Sequence, residues 1–272
     1  MPKFFASLIS LPSTLRAGAF VGLFFAGGAL WLGLLAGILL LVGTNPLHGV
    51  HPIVQSLYST GLYLYLLGLT LWFWHRIEGA SLADMGLTFS GKSLGLGALF
   101  GFGMLLLLRG AEMLLGLTTF HLPRPSWLFL LDLLVALLYS VSEEVVFRGA
   151  LLQILLKGAK PIWALSGAAA VWALGHYLRP NLTLMDLFSL LGLIVAGILL
   201  GLAYLRTRSL WLPIGIHAGW IYVLSLSGQL GIFTFADGYS LLHGGGSPNS
   251  GVLGIATMLL CLMLLRKPVR AS

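Results

Sequence analysis

Five polar residues within apolar stretches of this sequence have types and spacings that suit hydrolytic chemistry. Glu143, Glu144 and Arg148 lie close together in one run, and His176 and His217 follow in two later apolar runs. A charged side chain inside a membrane-spanning segment costs at least a few kcal/mol, and it usually marks a functional site. A buried glutamate and histidine can deprotonate water, while a second histidine can donate a hydrogen bond to a developing oxyanion. The pattern therefore favours amide hydrolysis.

Helical spacing separates the roles of the two glutamates. Glu144 and Arg148 are four residues apart, so they share one helix face and can form an ion pair. Glu143 lies about 100° further round the helix and is not aimed at Arg148 in the same way. We therefore predict that Glu143 is the general base and that Glu144 and Arg148 support it.

The distance of each residue from a turn predicts which of them meet. Glu143 lies about 16 residues before the turn at 157–160, and His176 lies about 16 residues after it. Antiparallel helices of equal rise bring these two residues to one level. His217 lies about seven residues into the seventh apolar run, so it reaches that level only if the hairpin extends beyond the membrane into the cytoplasm. We predict that it does.

The composition indicates an integral membrane protein. Of the 272 residues, 58% are hydrophobic and 8% are charged, whereas a soluble domain carries about 25% charged residues. We expect one integral membrane domain over residues 1–272. The net charge of +7 does not indicate nucleic-acid binding, because the basic residues lie between apolar runs and do not cluster on one element.

Eight apolar runs have a length suited to crossing a bilayer, which needs roughly 20 residues per helix. We predict an all-α, polytopic membrane helical bundle with transmembrane helices at 18–43, 53–75, 94–117, 127–156, 161–178, 186–205, 210–228 and 250–265. Eleven Lys and Arg residues fall at the two ends of the chain and in the even-numbered connections, and two (Arg124 and Arg179) fall in the odd-numbered ones. By the positive-inside rule, both termini are expected in the cytoplasm of a cell-membrane protein.

Residues 127–228 carry three motifs that resemble those of the CPBP family of intramembrane proteases. The first motif, Glu-Glu-x-x-x-Arg, is matched by Glu143, Glu144 and Arg148. The second, Phe-x-x-x-His, is matched at His176 with Trp172 in place of the Phe. The third, His-x-x-x-Asn, begins at His217 and has Ile221 in place of the Asn. The family includes type II CAAX prenyl endopeptidases and bacteriocin-processing enzymes, and we take residues 127–228 as the protease core.

The resemblance implies a role for each matched residue. Glu143, aided by His176, activates water, His217 stabilises the oxyanion, and Glu144 and Arg148 position the others. Two mechanisms stay open: a divalent metal such as zinc held by Glu143, His176 and His217, or a metal-free glutamate mechanism. The implied substrate is a membrane-associated protein or peptide, met among membrane lipids.

The departure at position 221 opens an alternative. Ile221 has no side-chain donor for an oxyanion, so either a neighbour such as Tyr222 replaces the missing Asn or the reaction is slow. A catalytically silent family member, acting as a membrane scaffold or an immunity-type partner, is the alternative function. A small transporter with a Glu143–His176 proton relay is disfavoured, because the sequence shows no internal hydropathy repeat.

The remaining polar residues have structural or solvated interpretations. Arg109 and Glu112 are expected to pair, and Asp132 is expected near water. Histidines 48, 51, 121 and 243 are expected in solvated loops, and residues 229–249 are expected to form a flexible loop. Glycines four residues apart, at 97 and 101 and at 197 and 201, predict close helix packing.

Overall fold

The computed structural model describes residues 3–41, 52–122, 127–176, 184–228, 231–238 and 240–266. Its helices are α1 (Lys3–Ser10), α2 (Ser13–Leu41), α3 (Pro52–Arg76), α4 (Gly91–Leu114), α5 (Leu128–Glu144), α6 (Leu152–Leu156), α7 (Pro161–Gly175), α8 (Leu184–Thr207), α9 (Trp211–Gly228), α10 (Ser240–His243) and α11 (Val252–Arg266). A π-helical segment, Val145–Leu151, joins α5 to α6, and a 3₁₀ turn, Gly244–Gly246, follows α10. Helices occupy the position of every predicted span.

Three of the described helices are long and apolar enough to cross a membrane, namely Ser13–Leu41, Gly91–Leu114 and Met185–Thr207. Shorter apolar helices lie at Pro161–Gly175, Trp211–Ser227 and Val252–Leu265. The helical bundle agrees with the predicted fold class. The number of crossings, the location of the termini and the projection of the 157–160 turn beyond the membrane stay predictions.

Glycines bring α4 and α9 into backbone contact. A Cβ atom added at Gly97 would lie 2.2 Å from the carbonyl oxygen of Leu212, and one at Gly101 would lie 2.1 Å from that of Ile216. Gly215 on α9 meets α4 in the same way, with the Leu94 carbonyl oxygen 2.3 Å from an added Cβ. The predicted close packing is confirmed, and it fixes the helix that carries His217.

A second glycine pair holds α8 against α7. A Cβ atom added at Gly197 would lie 2.8 Å from the Cβ of Ala169, and Gly201 faces the Leu165 side chain. The carbonyl oxygen of Gly197 accepts a hydrogen bond from Arg148 Nη2 at 3.2 Å. This glycine therefore links α8 to the π-helical segment beside the candidate site.

An ion cluster joins three parts of the chain at one end of the bundle. Glu78, which follows α3, accepts hydrogen bonds from Arg16 Nε and Lys157 Nζ, each at 2.7 Å. The Glu78 side chain is fully buried. The start of α2, the end of α3 and the turn after α6 therefore lie together, which agrees with their common assignment to one side of the membrane.

The expectation of a flexible loop at 229–249 is wrong for its described residues. Strand β2 (Phe233–Phe235) pairs antiparallel with β1 (Thr118–Phe120), so the bundle also carries a two-stranded sheet. Arg109 pairs with Glu112 as predicted and also donates a hydrogen bond to the carbonyl oxygen of Gly246. Buried contacts of this kind fix the segment on the bundle.

Three other polar residues test the solvated interpretation. His243 is buried, and its ring bonds the Ala236 carbonyl oxygen at 2.9 Å and the Gly245 amide at 3.0 Å, so its predicted solvated role is wrong. Asp132 is also buried, at 8% exposure, because α5 packs against α9. His121 is exposed as expected. His48 and His51 lie outside the described residues.

Candidate active site

Glu143 lies at the end of α5 with both carboxylate oxygens engaged. Tyr63 Oη on α3 donates a hydrogen bond to Oε1, and Trp172 Nε1 on α7 donates one to Oε2, each at 2.7 Å. The side chain is 12% exposed. Hydrogen bonds to a charged acceptor are stronger than neutral ones. Glu143 is therefore held in one orientation by residues from two other helices.

Glu144 joins Arg148 and His217 in a buried network. Its Oε1 atom accepts hydrogen bonds from Arg148 Nη1 and from His217 Nδ1, each at 2.9 Å. Glu144 is completely buried and Arg148 is 2% exposed. The guanidinium group of Arg148 also lies 4.8 Å from the ring centre of Trp172. The predicted ion pair is thus present, and it also contacts a candidate catalytic histidine.

His217 lies between the two glutamates. Because Nδ1 donates to Glu144, the ring turns its Nε2 atom towards Glu143, at 3.9 Å from Oε2. That distance is longer than a hydrogen bond and suits a contact bridged by water. With Nδ1 protonated, Nε2 accepts a hydrogen bond in the neutral ring and donates one only in the imidazolium form.

His176 lies one helical turn after Trp172. Its Nδ1 atom donates to the Trp172 carbonyl oxygen at 2.9 Å, so Nε2 is the acceptor of the neutral ring. The imidazole packs edge-on against the Trp172 indole, with ring centres 4.9 Å apart. Trp172 therefore contacts both members of the predicted Glu143–His176 pair.

The chain between Glu144 and α6 is π-helical, which sequence spacing did not predict. Residues Val145–Leu151 form this wider turn, and all seven are buried. Single π-helical turns inside α-helices often occur at functional sites. The wider turn lies immediately after the two glutamates and includes Arg148.

Two cavities meet at Glu143, Trp172 and His176. One, of about 350 Å³, is also lined by His217, Ile221 and the segment 247–249; we call it the polar cavity. The other, of about 590 Å³, is lined mainly by apolar residues of α2 and α3, including Phe24, Leu32 and Leu62; we call it the apolar cavity. The carboxylate of Glu143 therefore lies at the junction of two spaces of different chemistry.

Comparison with known proteins supports the resemblance seen in the motifs. Residues 125–223 match the family model described as Type II CAAX prenyl endopeptidase Rce1-like. This match supports membership of the CPBP family. It also supports a CAAX-type protease that resides in a membrane. No curated protein and no solved structure matches the chain.

Position 221, where the family motif has Asn and this chain has Ile, faces the polar cavity. Ile221 lines this cavity with Glu143 and His217. Tyr222 does not line either cavity; its ring stacks on Phe102 and packs against the apolar cluster around Ile232. These contacts give no support to Tyr222 as a replacement for the missing Asn, and that suggestion stays a prediction.

Glu143, His176 and His217 are the residues that would hold a metal. The Nδ1 atom of each histidine donates to a protein oxygen, which leaves Nε2 as the nitrogen that could bind a metal ion. Among the described residues, no group of three or more His, Cys, Asp or Glu is arranged to hold a metal ion. We derive no step through a metal.

Three residues at the CPBP site were missed from the sequence. Tyr63 contacts Glu143 from a helix 80 residues earlier, and Ser247 and Asn249 line the polar cavity from a later segment. No local spacing relates these residues to the motifs. The sequence showed Trp172 as a departure from the motif, but it did not predict that the indole N–H donates a hydrogen bond to Glu143.

Proposed function

We propose that this protein is an intramembrane endopeptidase that hydrolyses a peptide bond of a membrane-associated protein or peptide. One observation carries the proposal: Glu143 Oε2 and His217 Nε2 face each other across 3.9 Å where the polar and apolar cavities meet. The CPBP family membership supports the same reaction class.

Glu143 acts as the general base. Its carboxylate takes a proton from water, the resulting hydroxide attacks the scissile carbonyl carbon, and a tetrahedral oxyanion forms. The same proton then passes from Glu143 to the amide nitrogen, the C–N bond breaks, and a carboxylic acid and an amine leave. His176 Nε2 is the second acceptor that orients the water.

His217 stabilises the oxyanion through Nε2. Donation from Nε2 requires the imidazolium form, because Nδ1 is already bonded to Glu144. The charge of this form lies between the Glu143 and Glu144 carboxylates, and a preorganised charged donor of this kind stabilises a transition state more than it does the substrate. Arg148 holds Glu144 in place.

The apolar cavity indicates how the substrate binds. It reaches Glu143 between α2, α3 and α7, so a lipid chain or an apolar peptide segment can lie in it while the scissile bond reaches the carboxylate. The family description names a CAAX prenyl endopeptidase, so prenylated CAAX proteins are one candidate substrate class. A leader peptide or a membrane-anchored regulator with an apolar segment fits the same space. The protein would be a multi-pass cell-membrane protein with cytoplasmic termini.

The test is a cleavage assay with purified protein in liposomes. Wild type and the variants Glu143→Gln, His176→Ala and His217→Ala are incubated with prenylated and unprenylated CAAX peptides and with leader peptides. We expect cleavage by wild type and a loss of at least about 10²-fold in each variant. Ser142→Ala is the matched control, since that hydroxyl bonds the Leu138 carbonyl oxygen and not the site. Equal product from wild type and Glu143→Gln would exclude the proposal.

Ile221 favours one alternative, a catalytically silent scaffold or immunity-type partner. Its side chain places an apolar surface where the family motif has an amide donor. The scaffold function predicts that partner binding survives Glu143→Gln while no peptide is cleaved by wild type. The same set of variants, tested for binding and for cleavage, separates the two functions.

A further inference from the structure

The polar cavity is lined in part by a segment of the chain that lies far from the family motifs. Ser247, Pro248 and Asn249 line it together with Glu143 and His217. These three residues lie between α10 and α11, about 30 positions after His217. On the α9 side, the residue facing the cavity one turn after His217 is Ile221, which offers no polar atom.

The carboxamide of Asn249 is held with its oxygen engaged. The Ser247 hydroxyl donates a hydrogen bond to Asn249 Oδ1 at 2.6 Å. An amide nitrogen has two N–H donors and no acceptor capacity. With Oδ1 taken by Ser247, the part of this side chain that can bind another group is the Nδ2 donor.

The segment that carries Asn249 is fixed on the bundle by backbone contacts. The Asn249 carbonyl oxygen lies 2.0 Å from where a Cβ of Gly192 would be, so it packs directly on α8. Ser189 Oγ on α8 donates to Ser250 Oγ at 2.6 Å. The Pro248 carbonyl oxygen packs on Gly254 of α11 in the same way. A donor held this firmly needs little reorganisation when charge develops beside it.

The indole N–H of Trp220 is a second donor near the cavity without a partner in the described part of the chain, but it is less accessible to a bound substrate than Asn249. Trp220 lines the cavity, and its indole N–H has no hydrogen-bond partner among the described residues. That nitrogen is closed off from solvent, so a substrate cannot reach it without movement of the ring. Asn249 lines the same cavity and is partly exposed.

We propose that Asn249 is a catalytic residue whose Nδ2 donates a hydrogen bond to the tetrahedral oxyanion, alongside His217. The proposal rests on the endopeptidase function proposed above. It assigns the second oxyanion donor to the segment before α11 and not to α9. Ser247 is the positioning residue that turns the carboxamide so that its nitrogen is available.

The kinetic test compares Asn249→Ala, Asn249→Asp and Ser247→Ala with wild type and Glu143→Gln. Loss of one oxyanion donor lowers kcat by about 10²–10³-fold, so Asn249→Ala should fall in this range with little change in KM. Asn249→Asp should fall at least as far, because a carboxylate cannot donate and repels the oxyanion. Ser247→Ala should lower kcat by about 10-fold, since it leaves the amide present but not oriented.

A rescue experiment separates donation from packing. Ile221 faces the same cavity, so Ile221→Asn in the Asn249→Ala background offers an amide from the other side and should recover at least about 10-fold in kcat. Affinity for a phosphinate peptide that mimics the tetrahedral intermediate should fall in Asn249→Ala by the same factor as kcat/KM. Thermal unfolding midpoints report whether each variant is folded.

The outcomes distinguish this proposal from the one it rests on. If wild type and Glu143→Gln give equal product, both proposals are overturned. If cleavage depends on Glu143 while folded Asn249→Ala keeps a kcat within about threefold of wild type, the endopeptidase function stands and the role of Asn249 is overturned. A kcat loss without a matching loss of phosphinate affinity also overturns the role as oxyanion donor.

Discussion

His217 Nδ1 lies 2.9 Å from Glu144 Oε1, the same oxygen that accepts the hydrogen bond from Arg148. The second glutamate of the motif therefore does more than neutralise an arginine. It sets which histidine nitrogen carries the proton and aims Nε2 at the space in front of Glu143. The arrangement resembles the carboxylate–imidazole pair of serine hydrolases, in which the carboxylate fixes the ring and its tautomer.

Glu144→Gln should lower kcat by about 10²–10⁴-fold. The substitution removes the carboxylate that stabilises the His217 imidazolium, and it removes the charge opposite Arg148. Steady-state cleavage kinetics, with the unfolding midpoint of each preparation, provide the measurement. Ser140→Ala is the control on the same helix, because Ser140 is equally buried and bonds the Ala136 carbonyl oxygen. A folded Glu144→Gln enzyme with wild-type kcat would show that the contact does not orient His217.

Tyr63→Phe should reduce kcat by about 10-fold. The change removes the donor to Glu143 Oε1, and a hydrogen bond to a charged group contributes about 1.5–3 kcal/mol, while the aromatic ring keeps its contact with Tyr139. Tyr65→Phe is the matched control, since the Tyr65 hydroxyl bonds the Leu23 carbonyl oxygen instead. Equal rates for the two variants in the same cleavage assay would rule out a positioning role for Tyr63.

The part of the site within the motifs could be predicted because helix and hairpin geometry is regular. Glu144 and Arg148 pair at the spacing expected of a helix, and Glu143 meets α7 close to the level that counting from the 157–160 turn gave. The residue of α7 that donates a hydrogen bond to Glu143 is Trp172, which lies one helical turn before His176. An indole can donate to Glu143 and the phenylalanine of the family motif cannot, so this departure was a usable signal.

The rest depends on packing between distant segments, which spacing does not encode. Tyr63 reaches Glu143 only because α3 packs beside α5. The three consecutive glycines at 244–246 suggested flexibility, yet each adopts a positive φ in a turn that packs on the bundle. Asn249 lines the polar cavity as a result. The π-helical segment after Glu144 likewise has no marker in the sequence.

The contact between α4 and α9 predicts that alanine substitutions at Gly101 and Gly103, both on α4, affect stability differently. At Gly101 an added Cβ would lie 2.1 Å from the Ile216 carbonyl oxygen, whereas at Gly103 there is nothing within 4 Å. Gly101→Ala should lower the free energy of unfolding by about 1–3 kcal/mol. It should also lower kcat, because α9 must shift and carries His217.

Gly103→Ala supplies the comparison for that helix. An alanine in a helix interior is favoured over glycine by about 1 kcal/mol, so this variant should be as stable as wild type or more so. Chemical denaturation of both proteins in the same detergent provides the measurement. Equal destabilisation at 101 and 103 would contradict backbone contact as the reason for these glycines.

The Glu78 cluster predicts that stability falls in acid. Burial raises the pKa of the Glu78 carboxyl group, but the hydrogen bonds and charges of Arg16 and Lys157 lower that pKa by more, so it lies below its ordinary value of 4.5. A group with a lowered folded-state pKa stabilises the protein above the unfolded-state pKa. That contribution is lost as the pH falls from about 4.5 through the folded-state value.

Glu78→Gln tests this prediction directly. The variant should be less stable than wild type near neutral pH by about 1–3 kcal/mol, because three charge-assisted hydrogen bonds from Arg16 and Lys157 are weakened. Its unfolding free energy should then change less than that of wild type between about pH 6 and the acid range, here taken as about pH 3. Unfolding followed by tryptophan fluorescence at a series of pH values gives both quantities. Parallel pH profiles for the two proteins would show that Glu78 does not link the ends of α2, α3 and α6 through its charge.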